Sequence, residues 1–180
     1  GNYAFGECAN GTKCTTNGIS AKGRRGTSTF TGYTNVGTVY EPDDEFKGDL
    51  ARTYFYMVTC YMNDNFTQAD GGAKMFTYSG GTAQLSNYSV ALLLKWHRQD
   101  PVSERELVRN EVIYGNSTYN KCNYKQGNRN PFIDYPELAE YIWGTKKGQT
   151  LTIASIVSAY DGGGSTPIDP TPTPVTIKYG

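Results

Sequence analysis

The 180-residue sequence contains no long hydrophobic run, no excess of either charge and only one histidine, His97. A membrane helix needs about 20 consecutive apolar residues, and because no segment approaches that length, we expect no contact with a membrane. Seventeen basic residues balance seventeen acidic ones. This balance argues against nucleic-acid binding through net charge, but it does not exclude a local basic patch.

Cysteine is also scarce, and the four residues allow three pairings between which the sequence does not choose. Cys8 and Cys14 are too widely spaced for a typical half of a zinc site, and no Cys/His pair follows at a suitable distance. We therefore prefer a disulfide between Cys8 and Cys14, as in exported proteins. Cys60 falls in a predicted helix, where a buried free thiol agrees equally well with the sequence.

The sequence does contain a series of helix signals, and the first is at residues 41–62. Glu41-Pro42-Asp43-Asp44 is a typical helix start in which either aspartate can cap. Apolar residues then recur at helical spacing: Phe46, Leu50, Ala51, Tyr54, Phe55, Val58 and Met62. At Gly48, in the first turns, we expect a close neighbour to exclude a side chain.

Two more helices are predicted around a proline. The strongly apolar segment Ser86–Gln99 ends at Asp100-Pro101, because the residue before proline avoids the helical region. Ser103 and Glu106 then match a capping box, which opens a third helix that continues to about Tyr114.

The remaining segments predict one more helix and short strands. A fourth helix starts at Asp134 and ends before Gly144, and residues 148–159 form either a strand or a short helix. Brief strands are predicted at 28–33 and 38–40.

The composition divides the chain into one domain and a tail. Residues 1–160 form the domain, in which 63–81 is predicted to be a loop. Residues 161–174 are a Gly/Pro/Thr-rich linker, and 175–180 begin a further segment or mark a truncation.

Several motifs occur in an order that resembles a known family. They are Asn2-Tyr3-Ala4-Phe5-Gly6-Glu7, Phe46-Lys47-Gly48-Asp49-Leu50-Ala51-Arg52 with Tyr54-Phe55-Tyr56-Met57, Trp96-His97-Arg98-Gln99-Asp100-Pro101-Val102-Ser103 with Glu106 and Arg109-Asn110, Gln126-Gly127-Asn128-Arg129-Asn130-Pro131-Phe132-Ile133 with Pro136-Glu137-Leu138, and Ile142-Trp143-Gly144. Over roughly residues 1–145 the chain resembles the endonuclease I family of extracellular and periplasmic bacterial nucleases.

The resemblance implies an α+β, predominantly helical fold with Gly/Asn-rich loops, equivalent to the C-terminal half of a ββα-metal (His-Me finger) nuclease. It also implies a secreted or periplasmic enzyme that hydrolyses DNA, and often RNA, with a divalent cation such as Mg²⁺ and a histidine base. In this family the Glu-His pair and the metal-binding Asn precede the motif at the start of this chain. We therefore expect them upstream of Gly1, and no catalytic residue is carried over. Ala4 departs from the family pattern, in which proline is common.

His97 is the one candidate general base within the chain, next to Asp100. The alternative is a packing or hydrogen-bonding histidine at a helix C-terminus, where a positive charge is favourable. We favour this alternative because a lone histidine without clustered acidic ligands is a poor metal site, and no metal ligand is assigned.

Four residues are candidates for nucleic-acid binding: Lys47, Arg52, Arg129 and Asn130. Arg129 could hold a phosphate with two hydrogen bonds; the alternative, which we favour, is that it meets a carboxylate while the asparagines hold their own loop. Arg52 has an alternative partner in Asp49, three residues earlier. On the third helix, the simplest role for Glu104, Arg105, Glu106 and Arg109 is in ion pairs.

Two classes of function compete. The first is a metal-dependent endonuclease whose catalytic residues lie upstream. The second is a non-catalytic nucleic-acid-binding or structural module derived from the same fold, which the neutral net charge mildly favours. A weaker third hypothesis is an adhesion or glycan-binding module. If part of the fold is missing, apolar faces of the second and fourth helices should be partly bare, and we then expect a homodimer.

Overall fold

The structure, a computed structural model, describes residues 3–16, 19–68, 71–115 and 126–160. The predicted linker and terminal segment, at 161–180, lie outside these residues. Within them, the chain is an α+β protein with six α-helices and two β-sheets. None of the helices in this part of the chain is long and apolar enough to cross a membrane.

A four-stranded sheet forms the N-terminal part of the fold. Its strands, in chain order, are β1 (Ala4–Phe5), β2 (Thr12–Thr16), β3 (Ile19–Thr27) and β4 (Thr38–Glu41). Their spatial order is β1-β4-β3-β2, with β1 parallel to β4 and the other neighbours antiparallel. The strand predicted at 38–40 is confirmed within β4. The one predicted at 28–33 is wrong, because the chain leaves the sheet after Thr27 and turns through a 3-10 helix at Thr34–Val36.

A second sheet is a hairpin that begins inside the predicted loop at 63–81. A short helix, α2 (Gly72–Met75), leads into β5 (Phe76–Ser79), which pairs antiparallel with β6 (Thr82–Leu85). The turn between the strands is Gly80-Gly81, with φ angles of 60° and 80°. Glycine adopts positive φ without steric cost, and two such residues form the tight turn of a hairpin. The loop prediction is therefore wrong for the end of this segment.

The first three predicted helices are confirmed as α1 (Lys47–Cys60), α3 (Asn87–Gln99) and α4 (Glu104–Tyr114). Ser86 caps α3 by accepting a hydrogen bond of 3.1 Å from the Ser89 N–H. The capping box of α4 is complete: Ser103 Oγ accepts the Glu106 N–H at 3.3 Å, and the Glu106 carboxylate accepts the Ser103 N–H at 3.2 Å.

The start of α1 differs from the prediction. Asp44–Phe46 form a 3-10 turn ahead of the helix, and neither Asp43 nor Asp44 accepts a capping hydrogen bond through its side chain. Both carboxylates are used in ion pairs instead, Asp43 with Lys22 at 3.1 Å and Asp44 with Lys47 at 2.7 Å. The capping prediction is therefore wrong for both aspartates.

A short helix, α5 (Pro131–Asp134), ends where the predicted fourth helix was expected to begin, and α6 (Leu138–Ile142) corresponds to that prediction. The break falls at Tyr135, which precedes Pro136 and therefore avoids the helical region. Gly144 follows the end of α6 closely, as the sequence predicts. In residues 148–159, the structure contains a 3-10 turn at Ile153–Ser155, which favours the helical alternative over the strand.

The hydrophobic core is centred between α1 and α3. At its centre are Ala51, Phe55, Leu92, Leu93, Trp96, Phe132 and Ala139. The large apolar residues of α3 are buried, whereas Leu138 and Ile142 of α6 are only partly buried. Among the described residues, the exposed large hydrophobic side chains lie elsewhere: Tyr3, Phe46, Tyr61, Met62, Tyr78, Val108 and Val157. The homodimer therefore remains a prediction.

Candidate nucleic-acid interface

Arg52 is at the centre of a buried charge cluster between α1 and α4, and its side chain has no exposed surface. Its Nε and Nη2 atoms donate to the two carboxylate oxygens of Glu106 at 2.7 and 2.5 Å. Its Nη1 donates to the Asp100 carbonyl oxygen at 2.9 Å. The expected partner Asp49 is also present, at 3.5 Å. Since the whole guanidinium is enclosed, Arg52 does not reach a phosphate, contrary to the prediction.

His97 belongs to the same cluster, and both of its ring nitrogens have partners. Nδ1 lies 3.3 Å from Arg52 Nη1, and Nε2 lies 3.0 Å from the Pro136 carbonyl oxygen. Because a carbonyl oxygen only accepts, this network assigns the proton to Nε2 and makes Nδ1 the acceptor from Arg52. Burial, reinforced by the Arg52 charge, lowers the pKa of His97 to about 4. The geometry corresponds to a neutral packing histidine rather than to a general base.

Lys47 is buried as well, with a side-chain exposure of 5%. Its Nζ donates to Glu41 at 2.8 Å and pairs with Asp44 at 2.7 Å. Although burial disfavours the ammonium ion, the hydrogen bonds that Lys47 donates to these two carboxylates raise its pKa. The prediction that Lys47 contacts nucleic acid is therefore not met, because this charge is already neutralised inside the fold.

Arg129 is held by two carboxylates, which matches the alternative that the sequence favoured. Its guanidinium donates to Glu111 at 2.6 Å and to Asp134 at 2.7 and 3.0 Å. It also lies over the rings of Tyr114 and Tyr160, 5.6 and 4.9 Å from their centroids. One fifth of the side chain stays exposed, so Arg129 reaches the surface only as part of a neutralised cluster.

Asn130 holds its own loop, and it does so through both ends of its amide. Its Oδ1 accepts the Phe132 N–H at 3.0 Å and caps α5, while its Nδ2 donates to the Arg52 carbonyl oxygen at 3.1 Å. Its backbone N–H donates to Asn110 at 2.8 Å. These contacts are structural, and they fix the loop that precedes α5 against α1 and α4.

The predicted disulfide between Cys8 and Cys14 is not formed, and both thiols are free. Cys8 is fully buried beneath Gly11, where an added Cβ would lie 2.7 Å from its Sγ. Cys14 lies in β2 and is partly exposed. Cys8 therefore serves as a small core side chain. Cys60 is free, as in the alternative of a free thiol, but it is exposed and not buried; Cys122 lies outside the described residues.

The outer side of α4 has a different character from its inner side. Glu106 and Asn110 face inwards and are buried, whereas Arg105 and Arg109 are exposed. The two arginines are four residues apart, and this spacing places them on one face of the helix. Two like charges at this spacing repel each other, and this was the sequence signal for a ligand-facing pair. The ion-pair interpretation missed it for Arg109.

A groove runs beside this face, between α1 and α4, and consists of two adjoining cavities. We call the larger one, of about 690 Å³, the aromatic pocket because Phe5, Tyr40 and Phe46 line it. Its other lining residues are Lys22, Gly23, Pro42, Asp43, Asp49, Leu50, Thr53, Arg105, Glu106 and Arg109. Its volume falls within the usual range for small-ligand sites.

The smaller cavity, of about 260 Å³, is rich in side-chain amides, and we call it the amide pocket. Gln126, Asn128 and Asn130 line it, together with Thr53, Tyr56, Met57, Arg109, Asn110, Ile113, Arg129 and Ile133. Thr53 and Arg109 line both cavities. The two cavities therefore adjoin at this pair, and we refer to them together as the groove.

The charges of the groove are balanced except at Arg109. Arg105 pairs with Asp49 at 3.2 Å and lies over the Phe46 ring, 4.5 Å from its centroid. Lys22 pairs with Asp43 at 3.1 Å. Among the residues that the structure describes, Arg109 has no hydrogen-bond or ion-pair partner, although it is exposed. One permanently charged guanidinium is therefore available at the junction of the two pockets.

The described residues do not fit a metal centre. In the parts of the chain that the structure describes, no group of three or more His, Cys, Asp and Glu side chains could hold a metal ion. The carboxylates of the groove are already paired with lysine or arginine. We therefore derive no chemical step through a metal ion held by these residues.

Comparison with known proteins identifies the class. The family model described as Endonuclease I matches residues 1–137, which is most of the chain. The chain belongs to the endonuclease I family and is therefore a member of a class of nucleases.

Individual relatives are extracellular enzymes of two bacteria. The chain is 44% identical over 108 residues to proteins named extracellular ribonuclease from Bacillus amyloliquefaciens and from Bacillus subtilis (strain 168). The match covers 59% of this chain and 33% of each relative, so the chain spans about a third of the length of these relatives. No solved structure matches it significantly.

Proposed function

We propose that this chain is part of a secreted endonuclease that hydrolyses phosphodiester bonds in RNA or DNA with the help of a divalent cation, Mg²⁺. The family match over residues 1–137 carries the proposal. The names of the two relatives support both secretion and an RNA substrate. The role of this chain is then to provide the groove in which the strand lies.

The chemistry itself needs a base that activates water and ligands that hold the cation. His97 has both nitrogens engaged and a pKa of about 4, and the described residues contain no metal-ligand cluster. We place the catalytic histidine, glutamate and asparagine of a His-Me finger centre in sequence that precedes this chain in the whole protein.

Arg109 is the residue that we assign to substrate binding. A guanidinium presents two parallel N–H donors that match two oxygens of a phosphate. Because its charge is not neutralised by a described carboxylate, a phosphate does not have to displace a partner. The amide pocket beyond it offers Gln126 and Asn128, both exposed, as donors to the next phosphate or sugar.

The buried cluster holds this surface in place. The Arg52–Glu106 pair joins α1 to α4, and Asn130 ties the loop before α5 to α1. The two walls of the groove are therefore fixed relative to each other by hydrogen bonds on their inner sides. Because the groove is already ordered before the strand binds, binding costs little conformational entropy in the protein.

Activity assays on two lengths of the protein test the proposal. We expect the 180-residue chain to leave single-stranded DNA and RNA intact, and a protein extended upstream to include a Glu-His pair to cleave them with Mg²⁺. In the extended protein, Arg109→Ala should raise KM about tenfold, which is the effect of losing about 1.4 kcal/mol of phosphate binding. Lys147→Ala is the matched control, because Lys147 is exposed and lines neither pocket.

Two results would contradict the proposal. The first is cleavage by the 180-residue chain that His97→Ala abolishes, since the base would then lie within the chain. The second is an upstream sequence without a Glu-His pair. That result would favour the second candidate, a non-catalytic nucleic-acid-binding or structural module, which the lack of a metal-ligand cluster among the described residues also fits.

A further inference from the structure

We infer that the aromatic pocket receives a nucleobase turned out of a single strand while Arg109 holds the neighbouring phosphate. This makes single-stranded nucleic acid the substrate class of the groove. The inference rests on the proposed function, in that the groove binds nucleic acid at all, but it adds a selectivity for unpaired bases that family membership does not supply.

The shape and the lining of the pocket suit a flat ring. Phe5 and Tyr40 meet edge to face, with centroids 6.1 Å apart, and Phe46 is 39% exposed. Arg105 lies over one face of Phe46, 4.5 Å from its centroid, so a base would stack on the outer side of this guanidinium or on the other face of the ring. Bases stack on such aromatic and guanidinium planes when they are free of their own helix.

Gly23 keeps the Tyr40 side of the pocket open. An added Cβ at Gly23 would lie 2.4 Å from the Tyr40 hydroxyl and 3.0 Å from the ring carbon that bears it. The absence of a side chain on β3 therefore allows the ring to occupy its position in the pocket wall. Within the described residues, no group hydrogen-bonds to the Tyr40 hydroxyl, so it is available to the edge of a base.

The charge pattern fits one nucleotide unit. The carboxylates around the pocket are already paired, Asp43 with Lys22, Asp49 with Arg105 and Glu106 with Arg52. Arg109 is left over at the junction with the amide pocket. A phosphate at Arg109 thus places its own base, or the next one, against the aromatic rings without facing an unpaired carboxylate.

A duplex does not meet these conditions. Its bases are stacked and paired, and turning one out costs a few kcal/mol. A flexible single strand has little of this cost, so the pocket discriminates between the two forms even though Arg109 recognises a phosphate that both contain. Contact with phosphate alone would give no such discrimination.

Binding to intact and abasic strands separates the contribution of base stacking from that of phosphate contact. We propose fluorescence anisotropy of the 180-residue chain in EDTA with a labelled single-stranded decamer and with an abasic decamer of equal charge. The intact strand should bind about tenfold more tightly, since stacking of one base contributes about 1–3 kcal/mol. Phe46→Ala should remove most of this difference. Tyr78→Ala is the matched control, because Tyr78 is 38% exposed and lies in β5, outside the groove.

The outcomes distinguish this inference from the proposed function. Equal affinity for the intact and abasic strands would overturn the base pocket and leave phosphate binding intact. No binding to either strand would overturn both. In the extended protein, an intact-strand preference that is unaffected by Phe46→Ala would show that upstream residues fill the pocket, which also overturns the inference.

Photocrosslinking uses the unmodified protein, so its result does not depend on whether a variant folds. A single strand that contains 5-iodouracil crosslinks to nearby aromatic side chains on irradiation. We expect the crosslinked peptide to contain Tyr40 or Phe46. Crosslinks confined to aromatic residues outside the groove, such as Tyr78, would overturn the assignment.

Discussion

Arg52 and Arg109 lie on the facing helices α1 and α4, but their surroundings are opposite. Arg52 is fully enclosed and bonded to Glu106, Asp100 and His97, whereas Arg109 is exposed and has no partner among the described residues. The difference shows that an arginine's role depends on whether the fold satisfies its donors. The inner region maintains the geometry, and the outer groove is free to bind a ligand.

The largest difference between the two arginines is expected for Arg52→Met, which tests whether Arg52 stabilises the fold. Removing the guanidinium leaves Glu106 as a buried carboxylate without its partner, which typically costs about 3–5 kcal/mol. We expect the free energy of unfolding, measured with urea, to fall by this amount. The double variant Arg52→Met/Glu106→Leu should recover a large part of the loss, because the unpaired Glu106 carboxylate is then absent and Asp49 keeps Arg105 as its partner. A loss below about 1 kcal/mol for the single variant would show that the cluster is not what holds α1 against α4.

The second test is the pH dependence of the inner cluster. The pKa of His97 is lowered in the fold from 6.5 to about 4, so the folded state favours the neutral ring. Its contribution is complete above pH 6.5 and is lost as the pH falls towards 4, because the unfolded chain takes up the proton first. The shift corresponds to roughly 3 kcal/mol.

His97→Gln isolates this effect, since glutamine does not titrate but offers both a donor and an acceptor. We expect the wild-type protein to lose roughly 3 kcal/mol more than the variant between pH 7 and pH 4, measured by urea unfolding at each pH. Parallel curves for the two proteins would mean that His97 is protonated without cost and that its network differs from the one described.

A smaller effect on the free energy of unfolding is expected at Gly48, which lies on α1 next to the buried charge cluster around Arg52. An added Cβ would lie 2.0 Å from the Asp100 carbonyl oxygen and 2.7 Å from Arg52 Nη2. Gly48→Ala should therefore push α1 away from the end of α3 and reduce the free energy of unfolding by about 1–3 kcal/mol. Gly127→Ala is not a suitable control, because its φ of 72° strains any side chain. Thr59→Ala is a suitable control, because Thr59 lies at the exposed end of α1. An unchanged stability for Gly48→Ala would contradict the close approach.

The smallest effect on stability is expected at Arg109. Arg109→Ala should change the free energy of unfolding by no more than about 0.5 kcal/mol, as is usual for exposed residues without partners. The same variant should weaken binding to a single strand and lower the salt dependence of binding, because one phosphate contact is lost. A loss of stability above about 1 kcal/mol would break the comparison, since Arg109 would then support the fold as Arg52 does.

Local signals in the sequence predicted the helices well. The capping box at Ser103 and Glu106 and the end of α3 at Asp100 were both predicted and are present. Each depends on residues within one or two turns of each other. The hairpins were missed because β3 is rich in glycine and arginine and is held by backbone bonds to two neighbouring strands. Such pairing leaves little trace in the pattern of its side chains.

The candidate site was predicted less well, for a related reason. The family was recognised from motifs, and the match over residues 1–137 confirms it. The same motifs, however, contributed the four proposed nucleic-acid contacts, and the structure satisfies all four internally. Arg109 was assigned to an ion pair because Glu104 and Glu106 are near it in sequence. Glu106 points inwards to Arg52 instead.

The sequence by itself determined where the helices begin and end and which family the chain belongs to, because both depend on neighbouring residues and on ordered motifs. The tertiary structure alone decided which cations are neutralised. Glu106 is 54 positions from Arg52, and His97 is 45 positions from it, so no local pattern could pair them. Whether a charged side chain stabilises the fold or can bind a ligand depends on its partners. Only the folded chain brings those partners within hydrogen-bonding distance.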